Sequence, residues 1–465
     1  MAQERTGWWG DVRASLAGKE QDYTQAPLNR AIVLLAIPMV LEMCMESLFG
    51  IVDIFFVARL GAEAAAAVGV TETLMTVVYS LAMGIALATT AMVARRIGEK
   101  DAEGAARAAV QAVLLGIGAA VVVGVPAVWR APDLLRLMGA DEQVVARGVS
   151  YTRWVLGSSL SVMLLFLINA IFRGAGDAAT AMKVLWVANG LNIVLDPILI
   201  FGWGPVPAMG VAGAGVATVL GRSAGVVMQL AILFGGKGRI RLEARHWRVE
   251  WGVMRRLSRV SSTGMAQFLI ANASWIALVK IIAESGAAAL AGYAIAIRIV
   301  IFSLLPSWGL SNAAATLVGQ NLGARRPDRA ESSVWRTGVF NMVFLGLVGV
   351  VFMVMPGPLV GLFTEDAAVA GYAVSCVRIV SYGYVFYAMG MVLVQAFNGA
   401  GDTMTPTLIN VGVYWALQIP VAWWLAVRMG LGAEGAFWAI PIAEGALTVT
   451  GWWIFRQGKW KVQKI

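Results

Sequence analysis

The sequence predicts an all-α integral membrane protein of twelve transmembrane helices, arranged as two parallel six-helix bundles related by a pseudo-two-fold along the membrane normal. Three observations lead there. The 465 residues are 59% hydrophobic and only 14% charged, with a mean hydropathy of +0.74, whereas a soluble domain carries about a quarter charged residues. Apolar stretches of the roughly 20 residues needed to cross a hydrocarbon core recur along the whole chain. The basic residues are confined to alternate connections between those stretches.

The spans read from hydropathy are 31–56, 66–93, 109–128, 150–172, 184–203, 210–234, 260–282, 288–317, 335–356, 373–397, 408–427 and 435–455. They are continuously apolar, which predicts helices; barrel strands would alternate. Residues 1–30 hold Trp8, Trp9, Asp11, Arg13, Lys19 and Asp22 ahead of the first apolar run, a pattern that differs from a cleavable signal peptide. Of the 36 Lys and Arg, 26 fall in segments 1–30, 94–107, 173–183, 235–259, 325–336 and 456–465. Positive charge resists translocation, so both termini are expected in the cytoplasm of a bacterial-type inner membrane. The resulting division is a cytoplasmic segment 1–30, a first lobe 31–234, a basic linker 235–259 whose charges run from Lys237 to Arg259, a second lobe 260–455 and a tail 456–465. A net charge of +9 is thereby a topological signal, and nucleic acid is not an expected partner. Cys44, Cys376 and the single His246 are too few for a disulfide framework, a Cys/His metal site or a Ser-His-Asp triad, so no enzyme chemistry is expected.

The chain repeats itself at an offset of 225 residues. Ile171-Phe172-Arg173-Gly174-Ala175-Gly176-Asp177 returns as Ala396-Phe397-Asn398-Gly399-Ala400-Gly401-Asp402, Gly98 as Gly323, and Gly61-Ala62-Glu63-Ala64 as Gly286-Ala287-Ala288-Ala289. Six spans per repeat return the second half to the membrane in the orientation of the first, giving parallel bundles around a central cavity. The glycine-rich run Gly210 to Gly215 lacks the Lys-Ser/Thr of a phosphate loop and reads as a close-packing surface.

Charges inside the spans need a reason, because an acid at mid-membrane costs about 2.5–3.5 kcal/mol. Glu42, Glu46 and Asp53 are four and eleven residues apart on the first span, one face of a helix. Asn189, Asn192 and Asp196 lie on the fifth, with Pro197 next, and Thr218 on the sixth with Arg222 one turn later as a counter-charge for one carboxylate. Oxygen ligands of this kind suit Na⁺, and a carboxylate at low dielectric suits H⁺; both readings stand. The repeat supplies a control: Asp53, Asn192, Asp196 and, at an offset of 222 in the last span, Thr218 correspond to Leu278, Leu417, Val421 and Ile440. Polar residues confined to one half mark a site there. In the second half Lys280, Arg298, Arg378 and Glu444 are the charges expected to be buried; Lys280 is placed to snorkel, and Arg298 and Glu444 to pair with each other or to meet substrate.

These residues resemble the multidrug and toxic compound extrusion (MATE) family over about 30–455. The similarity rests on Val52-Asp53 with Pro38 fifteen residues earlier, Asn192-Ile193-Val194-Leu195-Asp196-Pro197, Gly213-Ala214-Gly215-Val216-Ala217-Thr218, the run Gly309 to Ala324 and the paired Gly-Ala-Gly-Asp turns. The resemblance implies a Na⁺- or H⁺-coupled antiporter that exports small organic, cationic or amphipathic molecules by alternating access. It assigns the cation to Asp53, Asn192, Asp196 and Thr218, with Tyr151 and Asn169 extending the polar network, Asn189 and Glu46 beside it, and a helix bend at Pro38. Other members carry acids in the seventh and tenth spans, where this chain has Gln267 and Ala271 and no acid within the tenth; Glu42 and Glu46 are additional acids that favour cationic substrates. A monomer in lipid, with small-molecule substrates and no cofactor beyond the coupling ion, is the expected working unit. A lipid-linked oligosaccharide flippase of the same superfamily is the alternative, against which the acid-lined first half argues, because a pyrophosphate group calls for a cationic cavity.

Overall fold

In the computed structural model, residues 8–18, 21–236, 238–463 and 465 are described; Lys19, Lys237, Lys464 and residues 1–7, counted above among the flanking segments, lie outside them. A short helix α1 (Trp8–Ala17) precedes α2 (Leu28–Ala58), α3 (Ala62–Gly98) and α4 (Ala102–Trp129). After α5 (Ala131–Leu137), the helices α6 (Glu142–Gly157) and α7 (Ser159–Ala175) form one pass, followed by α8 (Ala178–Phe201) and α9 (Val211–Gly235). The second half runs α10 (Trp251–Ala283), α11 (Ala287–Gly323), α12 (Pro327–Val354), α13 (Pro356–Gly361), then α14 (Ala367–Ser381) and α15 (Tyr384–Ala400), bent by 59° into one pass. The eleventh pass, Met404–Arg428, alternates α-helix and π-helix: α16 (Met404–Asn410), a π stretch, α17 (Ile419–Trp423) and a second π stretch; α18 (Gly432–Arg456) ends the bundle. Length and apolarity qualify every pass but α18, whose 25 residues include Glu434 and Glu444. At 1.5 Å per residue α18 still exceeds a hydrocarbon core of about 30 Å.

Backbone geometry repeats with the sequence. Gly61 and Gly286, which start α3 and α11, have φ/ψ of 103°/173° and 104°/171°, a region closed to side-chain-bearing residues. Gly176 and Gly401 close α7 and α15 at φ 82° and 85°. Even the left-handed Lys100 and Arg325, at 61° and 57°, are 225 residues apart. The carboxylates of Asp101, Asp141, Asp177 and Asp366 accept backbone N–H bonds at helix starts, satisfying donors that a first helical turn leaves free.

The two halves meet along the end that carries both termini, in contacts that obey the pseudo-two-fold. A Cβ on Gly98 would stand 2.0 Å from the carbonyl oxygen of Gln320, and one on Gly323 would stand 2.1 Å from that of Arg95; each pair is the 225-residue image of the other. Gly84 against Met265 N and Gly309 against Met39 O, both at 2.5 Å, form a second reciprocal set. Hydrogen bonds reinforce this end: Thr316 Oγ1 to Arg173 O at 3.1 Å, Gln320 Nε2 to Gly174 O at 3.0 Å, Arg326 Nη1 to Thr24 O at 2.8 Å and Arg95 Nη2 to Gln463 O at 2.8 Å. Leu48, Ile51, Ile54 and Phe55 of α2 and Ile301 and Phe302 of α11 are 43–52% exposed. The contacts named above close the lobes together on the terminal side.

Pro38 sits inside α2 and cannot donate to the carbonyl of Leu34. That carbonyl accepts instead from Ser15 Oγ of α1 at 3.0 Å, so the N-terminal helix is docked by a bond that the proline makes available. Replacing Gly98 or Gly323 by Ala forces a methyl into a backbone oxygen of the opposite lobe, an overpacking cost of about 1–3 kcal/mol. Each variant should populate conformations with the terminal side parted, read as a longer spin-label distance across that face; unchanged distances in both would show that these glycines do not set the closed state.

Candidate cation site and central cavity

The acids of α2 acquire three different environments because α8 packs along the helix while side chains of α7 and α9 reach it. Glu42 is buried, 1% exposed, and is held by Arg173 Nη1 at 2.6 Å and Asn169 Nδ2 at 3.1 Å. Gln229 Nε2 of α9 extends that cluster, donating to Asn169 Oδ1 at 2.7 Å. Glu46 accepts from Asn189 Nδ2 at 2.9 Å and lies 3.9 Å from Arg222 Nη2. The Arg222 guanidinium also donates to Tyr79 Oη at 3.3 Å and sits over the rings of Phe49 and Tyr79 at 5.6 and 5.8 Å, partners that let a cation remain charged at low dielectric.

Asp53 and Asp196 differ in kind. Asp196 has no exposed surface, and neither of its carboxylate oxygens receives a hydrogen bond; Asp53 Oδ1 and Asn192 Oδ1 are likewise buried without a donor. Asn192 Nδ2 donates to Thr218 Oγ1 at 3.2 Å, and that hydroxyl donates to Ala214 O at 3.0 Å, so neither group turns a donor toward the acids. Asp53 and Asp196 are within electrostatic reach of each other and of the buried Tyr151. Close approach of α8 and α9 builds this niche: a Cβ on Gly213 would lie 2.4 Å from Leu199 O and one on Gly221 2.6 Å from Ala188 O. The niche is rich in hard oxygen acceptors and poor in donors, which suits a monovalent cation or a proton and nothing anionic.

Several sequence expectations are adjusted. Asn169 serves Glu42 rather than Asp53 and Asp196. Arg173, counted with a basic connection, belongs to α7, is 8% exposed and pairs with Glu42; its position one turn after Asn169 was the available signal. Glu72 and Tyr79, seven residues apart on α3, were missed: Glu72 is within electrostatic reach of Asp53 and Arg222. Arg298 and Glu444 are not paired. Arg298 is exposed, and Glu444 accepts from Tyr414 Oη at 3.1 Å, because the two side chains leave different faces of the second bundle. Equivalent tryptophan bonds, Trp186 Nε1 to Leu41 O at 3.0 Å and Trp415 Nε1 to Ile270 O at 3.1 Å, are 229 residues apart at both members, a turn beyond the 225 of the repeat. At that offset Asn192 and Asp196 fall on Val421 and Leu425, so the counterparts are still apolar.

A cavity of about 100 Å³ lies between the lobes where they converge. Met43, Met83 and Phe166 line it from one half and Phe268 and Trp308, stacked at 5.8 Å, from the other. Arg173 reaches it beside the amides Asn312, Gln395 and Asn398. Adaptable methionines and flat aromatic faces accept varied apolar shapes.

The fold and the niche belong to a multi-pass membrane transporter. The MatE family model matches twice, over residues 38–198 and 265–424, once per repeat, and the chain belongs to that family. Among similar proteins are a probable multidrug resistance protein NorM of Thermotoga maritima, 27% identical with 94% of each chain covered, and an FAD transporter of Shewanella oneidensis, 26% identical with 90% of this chain and 92% of that one covered. A solved structure described as the outward-facing conformation of a multidrug resistance MATE family transporter superposes with a TM-score of 0.89 at 26% identity, over 96% of this chain and all of the other.

Proposed function

We propose that this protein is a cation-coupled antiporter, driven by Na⁺ or H⁺, that exports small organic molecules of cationic or amphipathic character by multidrug efflux. The observation that carries the reading is the set of four buried, donorless oxygens on Asp53, Asn192 and Asp196, completed by Thr218. A carboxylate that is charged when empty and neutralised when occupied changes the cost of closing the lobe around it. Occupancy of the niche therefore sets which face of the cavity is accessible, with Pro38 as the bend in α2. Tyr151, Asn189 and Glu46 orient the surroundings. Glu42, neutralised by Arg173, forms the inner wall near the cavity. The family relation to a named multidrug resistance protein supports the substrate class.

The test is resistance profiling of cells producing the protein, followed by efflux of the substrates so found from proteoliposomes under imposed Na⁺, pH and voltage gradients. Efflux that follows one cation gradient supports the reading. Efflux indifferent to both would overturn it.

The termini and the linker 235–259 are assigned to the cytoplasm of the inner membrane. Reporter fusions after residues 17, 240 and 460 should report cytoplasm and one near 364 the outside. An outside signal at 240 would contradict the arrangement of two parallel bundles.

A further inference from the structure

Glu444 is the one buried acid that the antiport reading leaves without a task. It lies on α18, 4% exposed, and no ion pair reaches it among the described residues. The helices packed against α18 are α10, α14, α15 and the segments of the eleventh pass. Their basic side chains near membrane depth, Lys280, Arg378 and Arg428, are exposed, as is Arg298 of α11. The titratable groups that face Glu444 are tyrosines: Tyr414, hydrogen-bonded to it at 3.1 Å, and Tyr387 within electrostatic reach.

Its place in the repeat is specific. α9 and α18 correspond at an offset of 222: Gly210 and Gly432 both have φ 58°, and Gly213 and Gly435 both press on the preceding helix, with a Cβ 2.4 and 2.6 Å from its backbone. Glu444 thus occupies the position of Arg222. In the first half the acid at this depth, Glu46, has a guanidinium for a neighbour; in the second half the acid has only a phenol. Tyr414 belongs to the π stretch Val411–Gln418, where the Ile419 N–H bonds Tyr414 O five residues back. Such turns are rare and concentrate at functional positions, and the matching α8 is regular α-helix.

We propose that Glu444 and Tyr414 form a second proton site in the second lobe, so that the transporter carries a proton there in addition to the cation of the first lobe. A buried carboxylate without a counter-charge is stable only when neutral. One carboxylate and one hydroxyl supply too few oxygens to replace the shell of a metal cation, so a proton is the ligand. It is taken up as the carboxylate becomes a carboxylic acid hydrogen-bonded to Tyr414, and given back on the other side as the carboxylate re-forms. The inference rests on the antiport reading.

The experiment uses the reconstituted full chain with a substrate identified by resistance profiling, comparing wild type, Glu444→Gln, Tyr414→Phe and Asp196→Asn. Glu444→Gln keeps size and neutrality, so transport should continue. With one fewer charge coupled at 100 mV, about 2.3 kcal/mol less drives each cycle, and the limiting substrate gradient should fall roughly fifty-fold. Infrared difference spectra should show a protonated-carboxyl band that titrates in wild type, shifts in Tyr414→Phe and is lost in Glu444→Gln. A wild-type limiting gradient in Glu444→Gln, or a carboxyl band that does not titrate, would overturn the proposal. Asp196→Asn separates the two claims: if it destroys coupling while Glu444→Gln changes nothing, the second site alone fails. If Asp196→Asn keeps full coupling, the antiport reading built on the first lobe fails.

Discussion

Asp53→Asn and Asp196→Asn are each expected to abolish the first-lobe cation's share of gradient-driven efflux while leaving a folded protein that still exchanges substrate across the membrane. The amide has nearly the shape of the carboxyl group, so packing around the fully buried Asp196 is retained. What changes is the charge cycle. The native carboxylates face a niche with no hydrogen-bond donor for Asp53 Oδ1 or either Asp196 oxygen, and in the proposed cycle a cation or proton neutralises them. An asparagine is neutral throughout, so the lobe loses the difference between its loaded and empty states and a voltage of 100 mV no longer contributes its roughly 2.3 kcal/mol per charge. That energy corresponds to a substrate gradient of about fifty-fold, which should be lost, leaving only the share that a proton at Glu444 sustains. Replacing the apolar counterparts Leu278, Val421 or Leu425 by other apolar residues should do far less. Counterflow of labelled substrate, measured without any imposed gradient, is the control that binding survives.

Glu42→Ala is expected to produce the largest loss of stability of any single substitution in the first lobe. The substitution leaves Arg173, 8% exposed, without the carboxylate that lies 2.6 Å away. Removing one partner of a buried ion pair costs about 3–5 kcal/mol, whereas replacing both by apolar residues of similar volume is close to neutral. The variant Glu42→Leu with Arg173→Met should therefore recover much of the melting temperature that Glu42→Ala loses in detergent. Arg173 also lines the cavity, so the double replacement should alter substrate preference even as it restores stability. A Glu42→Ala protein that melts with the wild type would mean that this pair does not hold the bundle together.

Much of this architecture is legible from sequence because the membrane leaves few alternatives. Backbone groups must be satisfied within helices, so continuous apolar runs fix the spans, and the 225-residue repeat fixes their grouping; the paired φ values at Gly61 and Gly286 show the same symmetry in three dimensions. The buried acids on α2 stand out because each is costly. Partner choice is harder to read. Arg173 directly follows the fourth predicted span, 150–172, and stands four residues before Asp177, the place of a connection, and only the fold brings its guanidinium within 2.6 Å of Glu42. Glu444 and Arg298 have opposite charge and similar depth, yet one faces Tyr414 and the other the surroundings, a difference set by helix rotation. The π stretches of Met404–Arg428 carry no sequence mark that separates them from α-helix.

Simultaneous counting of cation and substrate movement in proteoliposomes holding the wild-type protein tests the central claim most directly. Substrate should leave against its gradient with Na⁺ or H⁺ entering in fixed proportion, and cation entry should stop when substrate is withheld. Substrate efflux with no opposing cation flux, in wild type and in Asp196→Asn alike, would contradict the account.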